Sequence, residues 1–326
     1  MRLPIGPLKK ADMFDILGIT FPIFATIALG YGAVRFGVFA QSDMKILGKY
    51  VLNIALPALL CGAVARRDLA EVLQFNYALV FALGGVATFA LIYLALLAQG
   101  TGPARRAIGA MGSCCPNSAY VGYPVMLLIL PDHAGIVLAL NFIVENFLLI
   151  PLGLMFLEGA RDRDDRTKLQ MLGGLFLSIL KRPMFIGLLT GLLLLLLDID
   201  LPDAGYRLLD MLAASASALA LVMIGGSLVG LPLRGEMSLA VQILIGKLIV
   251  NPAMVILAAA LLPLIGMPAL SPDMWTAVVV SAAMPMLVLY VVFAQEYGHE
   301  GVASIALLAA TVGAFFTLST LLFVLT

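Results

Sequence analysis

Two prolines stand in the middle of long apolar segments, and polar groups gather around the first of them. Pro116-Asn117-Ser118 interrupts the run Ala107–Pro124, and Pro285 interrupts a second run, Thr276–Phe293, with Ser281 one turn ahead of it. Proline removes a backbone donor and clashes with the preceding turn, so each helix is expected to break there. The half-helix that starts after such a break presents free N–H groups and a positive dipole end, a natural seat for a carboxylate. Asn117 can add a side-chain donor at that seat, or cap its own half-helix, a position asparagine favours. The two roles do not exclude each other. Tyr120 and Tyr290 follow the two breaks, where they either line a pocket or pack in the core.

Four more polar residues fall inside apolar segments. Glu145 lies midway along one, with Asn141 one turn earlier on the same face and Asn146 beside it, and Lys247 is equally central in a later one. An ionisable group at such a depth is costly and faces a partner or a cavity. Glu145 is read as a site of proton or cation coupling, or as a hydrogen-bonded structural acid. Lys247 attracts an anionic ligand or pairs with Glu145, which would reduce the cost of desolvating both.

The elements that position these groups follow from composition. The chain of 326 residues is 62% hydrophobic and 12% charged, with a mean hydropathy of +1.09. That much apolar surface cannot be hidden in a soluble protein of this length. Net charge is zero, so a nucleic-acid partner has no electrostatic support. Cys61, Cys114 and Cys115 all fall in apolar spans with neither zinc-site nor disulfide spacing. No metal or cofactor is expected. There is no H-E-x-x-H or G-x-S-x-G motif for an enzyme and no phosphate-binding loop for ATP-driven transport.

Apolar windows of about 20 residues give ten spans: 14–34, 44–65, 75–98, 105–130, 134–158, 175–197, 205–230, 237–263, 273–295 and 301–325. Met1–Asp12 is a short polar lead, and the run after it reads as a real first span rather than a leader. The charged stretch Arg161–Lys168 falls between two halves that repeat. Pro22-Ile-Phe24 with Gly30 mirrors Pro183-Met-Phe185 with Gly191, and Pro116 mirrors Pro285. An odd number of spans per repeat inserts the two copies in opposite orientations, an inverted repeat with its binding site at the broken helices. The fold class is therefore all-α and polytopic: residues 1–158 carry helices 1–5, 159–174 a cytoplasmic loop, and 175–326 helices 6–10. Gly187/Gly191 and Gly226/Gly230 are spaced for close helix packing. Trp275 sits at a span end as an interfacial aromatic, and His133 and His299 sit at span ends facing the interface.

At this point the residues resemble a known family. Asn117-Ser-Ala-Tyr-Val-Gly122-Tyr-Pro124 is similar to the N-x-x-x-x-G-x-P signature of the auxin efflux carrier family of plant and bacterial transporters. Tyr50–Leu60, Leu219–Gly225, Lys247–Pro252 and Ala282–Pro285 resemble further stretches of it, over nearly the whole chain. The resemblance implies a fold like that of bile acid:sodium symporters, with a scaffold of helices 1, 2, 6 and 7. Helices 3–5 and 8–10 would form a transport domain in which broken helices 4 and 9 cross.

It also implies an elevator-type secondary carrier of small organic anions, auxin-like or malate- and malonate-like. The substrate would lie on Asn117, Pro116, Ser118, Tyr120, Pro285, Ser281 and Tyr290. The alternative is a sodium-coupled symporter of larger organic anions, so H+ and Na+ both stay open, as does a homodimer. A long cytosolic loop of plant members is absent, which points to a bacterial inner membrane. Where many bacterial relatives carry an asparagine after the second proline, this chain has Leu287, Val288 and Leu289, a greasier second half of the site.

Charge bias sets the orientation. With the N-terminus outside, Arg35, Lys45, Lys49, Arg105, Arg106, the Arg161–Lys168 stretch, Lys181, Arg182 and Arg234 are cytoplasmic. Only Arg2, Lys9, Lys10, Arg66, Arg67 and Arg207 lie outside, so both termini are expected to be periplasmic. A cysteine introduced beside Arg163 should resist an impermeant thiol reagent in intact cells and react once the membrane is permeabilised. Ready labelling in intact cells would reverse the orientation.

Overall fold

The computed structural model describes all residues but 1–12, 73, 161–173, 175–176, 178, 234 and 326. The charged stretch Arg161–Lys168 and the polar N-terminal lead lie outside the described residues. Every named element is helical: α1 (Met13–Arg35), α2 (Gln41–Ala65), α3 (Phe75–Ala98), α4a (Pro103–Cys114), α4b (Ser118–Ile129), α5 (Ala134–Glu158), α6 (Pro183–Leu196), α7 (Asp203–Ser227), α8 (Met237–Ile265), α9a (Pro272–Ala282), α9b (Leu289–Gln295) and α10 (Glu300–Leu325). A one-turn helix, Leu69–Val72, joins α2 to α3. Among the described residues six of these helices (α2, α3, α5, α7, α8 and α10) are long and apolar enough to cross a membrane. Large apolar side chains such as Leu29, Leu94, Leu193, Ile249 and Phe316 stand exposed along the helices, the surface a bilayer covers.

Four helices contain a wide π-turn, a feature the sequence patterning did not bring out. These turns are Val51–Ala55 in α2, Ser118–Gly122 in α4b, Glu145–Leu149 in α5 and Gly246–Val250 in α8. Their cause is common to all four. The residue after each turn donates its N–H five residues back (Leu56 to Val51, Tyr123 to Ser118, Ile150 to Glu145, Asn251 to Gly246). The next residue is always proline: Pro57, Pro124, Pro151 and Pro252. In an α-helix the proline ring would clash with the carbonyl four residues back. One widened turn makes room for the ring and keeps the helix continuous.

Glycines set how closely the helices approach. A Cβ on Gly187 or Gly191 of α6 would lie 2.4 and 2.6 Å from the carbonyl oxygens of Pro57 and Cys61 of α2. One on Gly225 of α7 would lie 1.8 Å from the Ile27 carbonyl oxygen of α1, and one on Gly226 would meet Met44. Gly230, expected to pack in the same way, instead makes the turn after α7 with φ +76°, a left-handed conformation that glycine adopts without strain. Trp275 is also corrected. It is buried, 8% exposed, because α9a is enclosed by neighbouring helices rather than by lipid headgroups. His133 at the start of α5 approaches Asp273 of α9a, 3.4 Å away.

The most extensive helix contacts fall into two sets. α1 lies along α7, α6 lies along α2, and α7 also touches α2. Separately, α3 packs on α4a and α8, α4a on α5 and α8, and α10 on α8 and α9b. Gly225→Ala should cost about 1–3 kcal/mol by overpacking the α1–α7 contact and lower the thermal midpoint. Gly18→Ala, with nothing within 4 Å of the added methyl, should not. Equal midpoints for both variants would show that this close approach is not needed for stability.

Candidate functional site

The two broken helices meet at their breaks. α4a stops at Cys114 because Cys115, preceding Pro116, is extended (φ −93°, ψ 103°), as a residue before proline prefers. α9a stops at Ala282, three residues before Pro285. The freed backbone groups then satisfy each other. Asn117 N–H donates to the Pro285 carbonyl at 2.8 Å and Leu287 N–H to the Cys115 carbonyl at 3.3 Å, with Pro116 and Met286 forming an antiparallel bridge. Non-helical backbone inside an apolar fold requires such internal partners.

The two outgoing half-helices differ. α4b begins at once, with Asn117 as its cap: Oδ1 accepts from Tyr120 N–H at 3.2 Å, and the Asn117 carbonyl accepts from Val121 and Gly122. The Asn117 amide nitrogen donates to no group among the described residues, although the side chain is buried. Capping and ligand-binding are thus divided between the two ends of one amide. α9b, by contrast, starts three residues after Pro285's neighbour Met286 and runs only from Leu289 to Gln295. Its first turn is tightened by Tyr290 N–H to Leu287 and Val291 N–H to Val288. Of the two starts, only that of α4b carries a polar cap side chain, Asn117, where α9b has Val288.

Polar side chains from three other helices surround the crossing. Tyr77 of α3 donates to Asn141 Oδ1 at 2.9 Å, the Asn141 amide donates to Ser281 Oγ at 2.9 Å, and Ser281 closes the ring on Tyr77 at 3.1 Å. This triangle ties α3 and α5 to the last turn of α9a. Below it, the Ala282 carbonyl, left without a helical partner by the break, accepts from Lys247 Nζ at 2.9 Å and from Asn251 Nδ2 at 3.1 Å. Thr88 holds Asn251 in place through its Oδ1 at 3.1 Å. A cation at a helix C-terminus is electrostatically favourable, which explains a lysine with no exposed surface.

Glu145 and Asn146 sit in the π-turn of α5. Ser118, the first residue of α4b, donates to the Glu145 carboxylate, while Asn146 accepts from Arg182 at 2.6 Å, just before α6. Glu145 and Lys247 therefore do not form the ion pair considered from the sequence; each has its own partner. Tyr120 reaches α2, its hydroxyl 3.4 Å from the Gly48 carbonyl. Tyr290 is fully buried against Gly112 of α4a, its hydroxyl unpartnered among the described residues. It is a core residue rather than a pocket wall.

Sequence reasoning passed over Tyr77, Asn251 and Arg182. Asn251 carried a usable signal, standing one turn after Lys247 on the same helix face. Tyr77 and Arg182 sit at helix starts, where polarity is unremarkable in sequence. No group of three or more His, Cys, Asp or Glu side chains able to hold a metal occurs among the described residues.

A cavity of about 280 Å³ opens beside α4b, between α2, α5 and α7, lined by Ala58, Gly62, Tyr123, Leu127 and Ala213 with Arg66 and Arg67. Arg66 is held by Asp210 at 2.8 Å, and Arg67 donates to the Asp132 carbonyl. On the other side of the fold His299, after α9b, has its imidazole pushed below the ordinary range by burial and by Arg105.

Comparisons with known proteins agree with this architecture. The sequence model for membrane transport proteins matches residues 15–323. A Rhizobium meliloti (strain 1021) protein described as "Putative malonate transporter" is 26% identical over 318 residues, covering 96% of this chain and 97% of its own. The Escherichia coli (strain K12) "Uncharacterized transporter YfdV" is 24% identical over 214 residues, covering 64% of this chain and 67% of that protein. The mouse "Lysosomal cholesterol signaling protein" is 25% identical over 217 residues, but these are only 25% of its own length.

Proposed function

The chain belongs to the membrane transport protein family of the auxin efflux carriers, and on that premise we propose that it is a secondary carrier of small organic anions with its substrate seat at the α4–α9 crossing. The observation that carries the proposal is the Asn117 amide. Its oxygen is used to cap α4b, and its nitrogen is left without a partner beside the break. A carboxylate there would take the Asn117 N–H together with the unpaired first N–H groups of α4b, on the positive end of that half-helix. The relative described by its name as a malonate transporter suggests the size of the acid. The apolar residues Leu287, Val288 and Leu289 supply no second anion-binding group opposite.

In this reading α1, the broken α4 and α9, and α6 complete ten spans with the six long helices, as two inverted five-helix repeats. The packing supports a division into a scaffold (α1, α2, α6, α7) and a transport domain (α3–α5, α8–α10). The most extensive helix contacts lie inside each set. The polar ties between the sets among the described residues include Tyr120 to Gly48, Arg67 to Asp132, Arg182 to Asn146 and Ser319 to Thr20. A domain held this way can shift against its scaffold and carry the crossing from one side to the other. The cavity flanked by α2 and α7 on one wall and α4b and α5 on the other lies along that boundary. It would be the access route on the periplasmic side of an inner-membrane protein.

Calorimetry with malonate on purified protein tests the seat. A charge-assisted hydrogen bond contributes about 1.5–3 kcal/mol, so Asn117→Ala should weaken binding roughly tenfold or more. Asn117→Asp keeps an oxygen to cap Tyr120 but removes the donor and adds a like charge, and should weaken binding further. Unchanged affinity in both folded variants would remove the crossing as the seat.

A further inference from the structure

We propose that Glu145 binds a proton that this carrier takes up together with its anion, one proton per anion, and that Ser118 transmits the state of the carboxyl to the substrate seat. The proposal rests on the seat described above. Ser118 immediately follows Asn117, and among the described residues its hydroxyl is the hydrogen-bond partner of the Glu145 carboxyl. A bound anion and an ionised Glu145 would thus be separated by a single serine side chain, inside protein with little water to screen them. Like charges so placed disfavour each other, and protonation of one relieves the conflict.

Charged and titratable groups facing Glu145 do not resolve that conflict another way. From α8, Lys247 lies within electrostatic reach, but its ammonium is committed to the Ala282 carbonyl. From α3, the Tyr77 hydroxyl is committed to Asn141, and from α4a the Cys115 thiol is a neutral neighbour. Arg182, ahead of α6, is engaged with Asn146 rather than with the acid beside it. A metal cation is a poor fit, because the amide oxygens on the same helix as Glu145 already accept hydrogen bonds: Asn141 Oδ1 from Tyr77 and Asn146 Oδ1 from Arg182. A proton needs none of them.

Protonation has a second consequence at Ser118. While Glu145 is ionised it can only accept, so the serine hydroxyl must point its proton at the carboxylate. Once Glu145 carries a proton it can donate to Ser118 Oγ, and the serine O–H is released to donate to the anion. Uptake of one proton therefore removes a like charge and adds a donor at the seat. By linkage the anion favours the protonated carboxyl as much as the proton favours anion binding. Affinity should fall about tenfold per pH unit above the pH at which the unliganded Glu145 ionises.

The test is malonate calorimetry in two buffers of different ionisation enthalpy, repeated across pH with and without sodium. Wild-type protein should take up close to one proton per malonate, and its affinity should fall with rising pH. Glu145→Gln, isosteric and permanently neutral, should bind with no proton uptake and no pH dependence over the same range. Ser118→Ala should bind more weakly yet keep the proton uptake, since the carboxyl remains. Binding that responds to Asn117 substitution but takes up no proton, that keeps its uptake in Glu145→Gln, or that requires sodium would overturn this inference and leave the seat intact. Failure of malonate to bind, or binding indifferent to Asn117, would remove the seat and this inference with it.

Discussion

Every backbone group that a proline releases inside this apolar fold has to find a partner inside the protein, and the architecture follows from how that requirement is met. Six prolines along α2, α4, α5, α8 and α9 meet it in two ways. Pro57, Pro124, Pro151 and Pro252 are absorbed by π-turns that keep the helix whole. Pro116 and Pro285 are not absorbed, and the chain opens. The two openings then close on each other, through Asn117 to Pro285 and Leu287 to Cys115. Neither break would be tolerable alone at that depth; together they make a short, buried two-stranded contact.

The same constraint explains where the charged residues went. A buried lysine stabilises the fold only if something replaces the water it lost. Lys247 finds the carbonyl end of α9a, a helix terminus that exists only because Pro285 ended the helix early. Glu145 finds the opposite kind of terminus, the start of α4b, through Ser118. Each ionisable side chain also lies in a π-turn of its own helix, where the wider backbone turns it toward the crossing. The acid therefore shares the end of the crossing at which an anion is favoured, and the base shares the end at which a cation is favoured. An anionic ligand at the proposed seat would share α4b with an acid, which would make proton uptake a natural partner of anion binding.

Much of this was legible in the residues. Six of the apolar windows contain helices long enough to cross a membrane, and the breaks at Pro116 and Pro285 come directly from proline stereochemistry in an apolar run. Asn117 could be singled out because asparagine after a helix break can both cap and donate. The separate partners of Glu145 and Lys247 were not predictable, because sequence gives the depth of a charge along its helix and not its direction around the axis. The π-turns each rotate the following residues relative to an ideal helix, which simple periodicity does not anticipate. The enclosure of Trp275 and Tyr290 was hidden for a related reason. In a fold where both lipid and core are apolar, hydrophobicity no longer tells inside from outside. Small residues did carry that information, since Gly112 leaves room for Tyr290 and Gly225 for Ile27.

The account stands or falls on the crossing being where the substrate's charge resides. An experimental density map of the protein saturated with malonate addresses this most directly. The account predicts a carboxylate within hydrogen-bonding distance of Asn117 Nδ2 and the first N–H groups of α4b, with the Lys247 ammonium still on the Ala282 carbonyl. A carboxylate found only in the cavity beside Arg66 and Arg67, with the crossing empty, would contradict it.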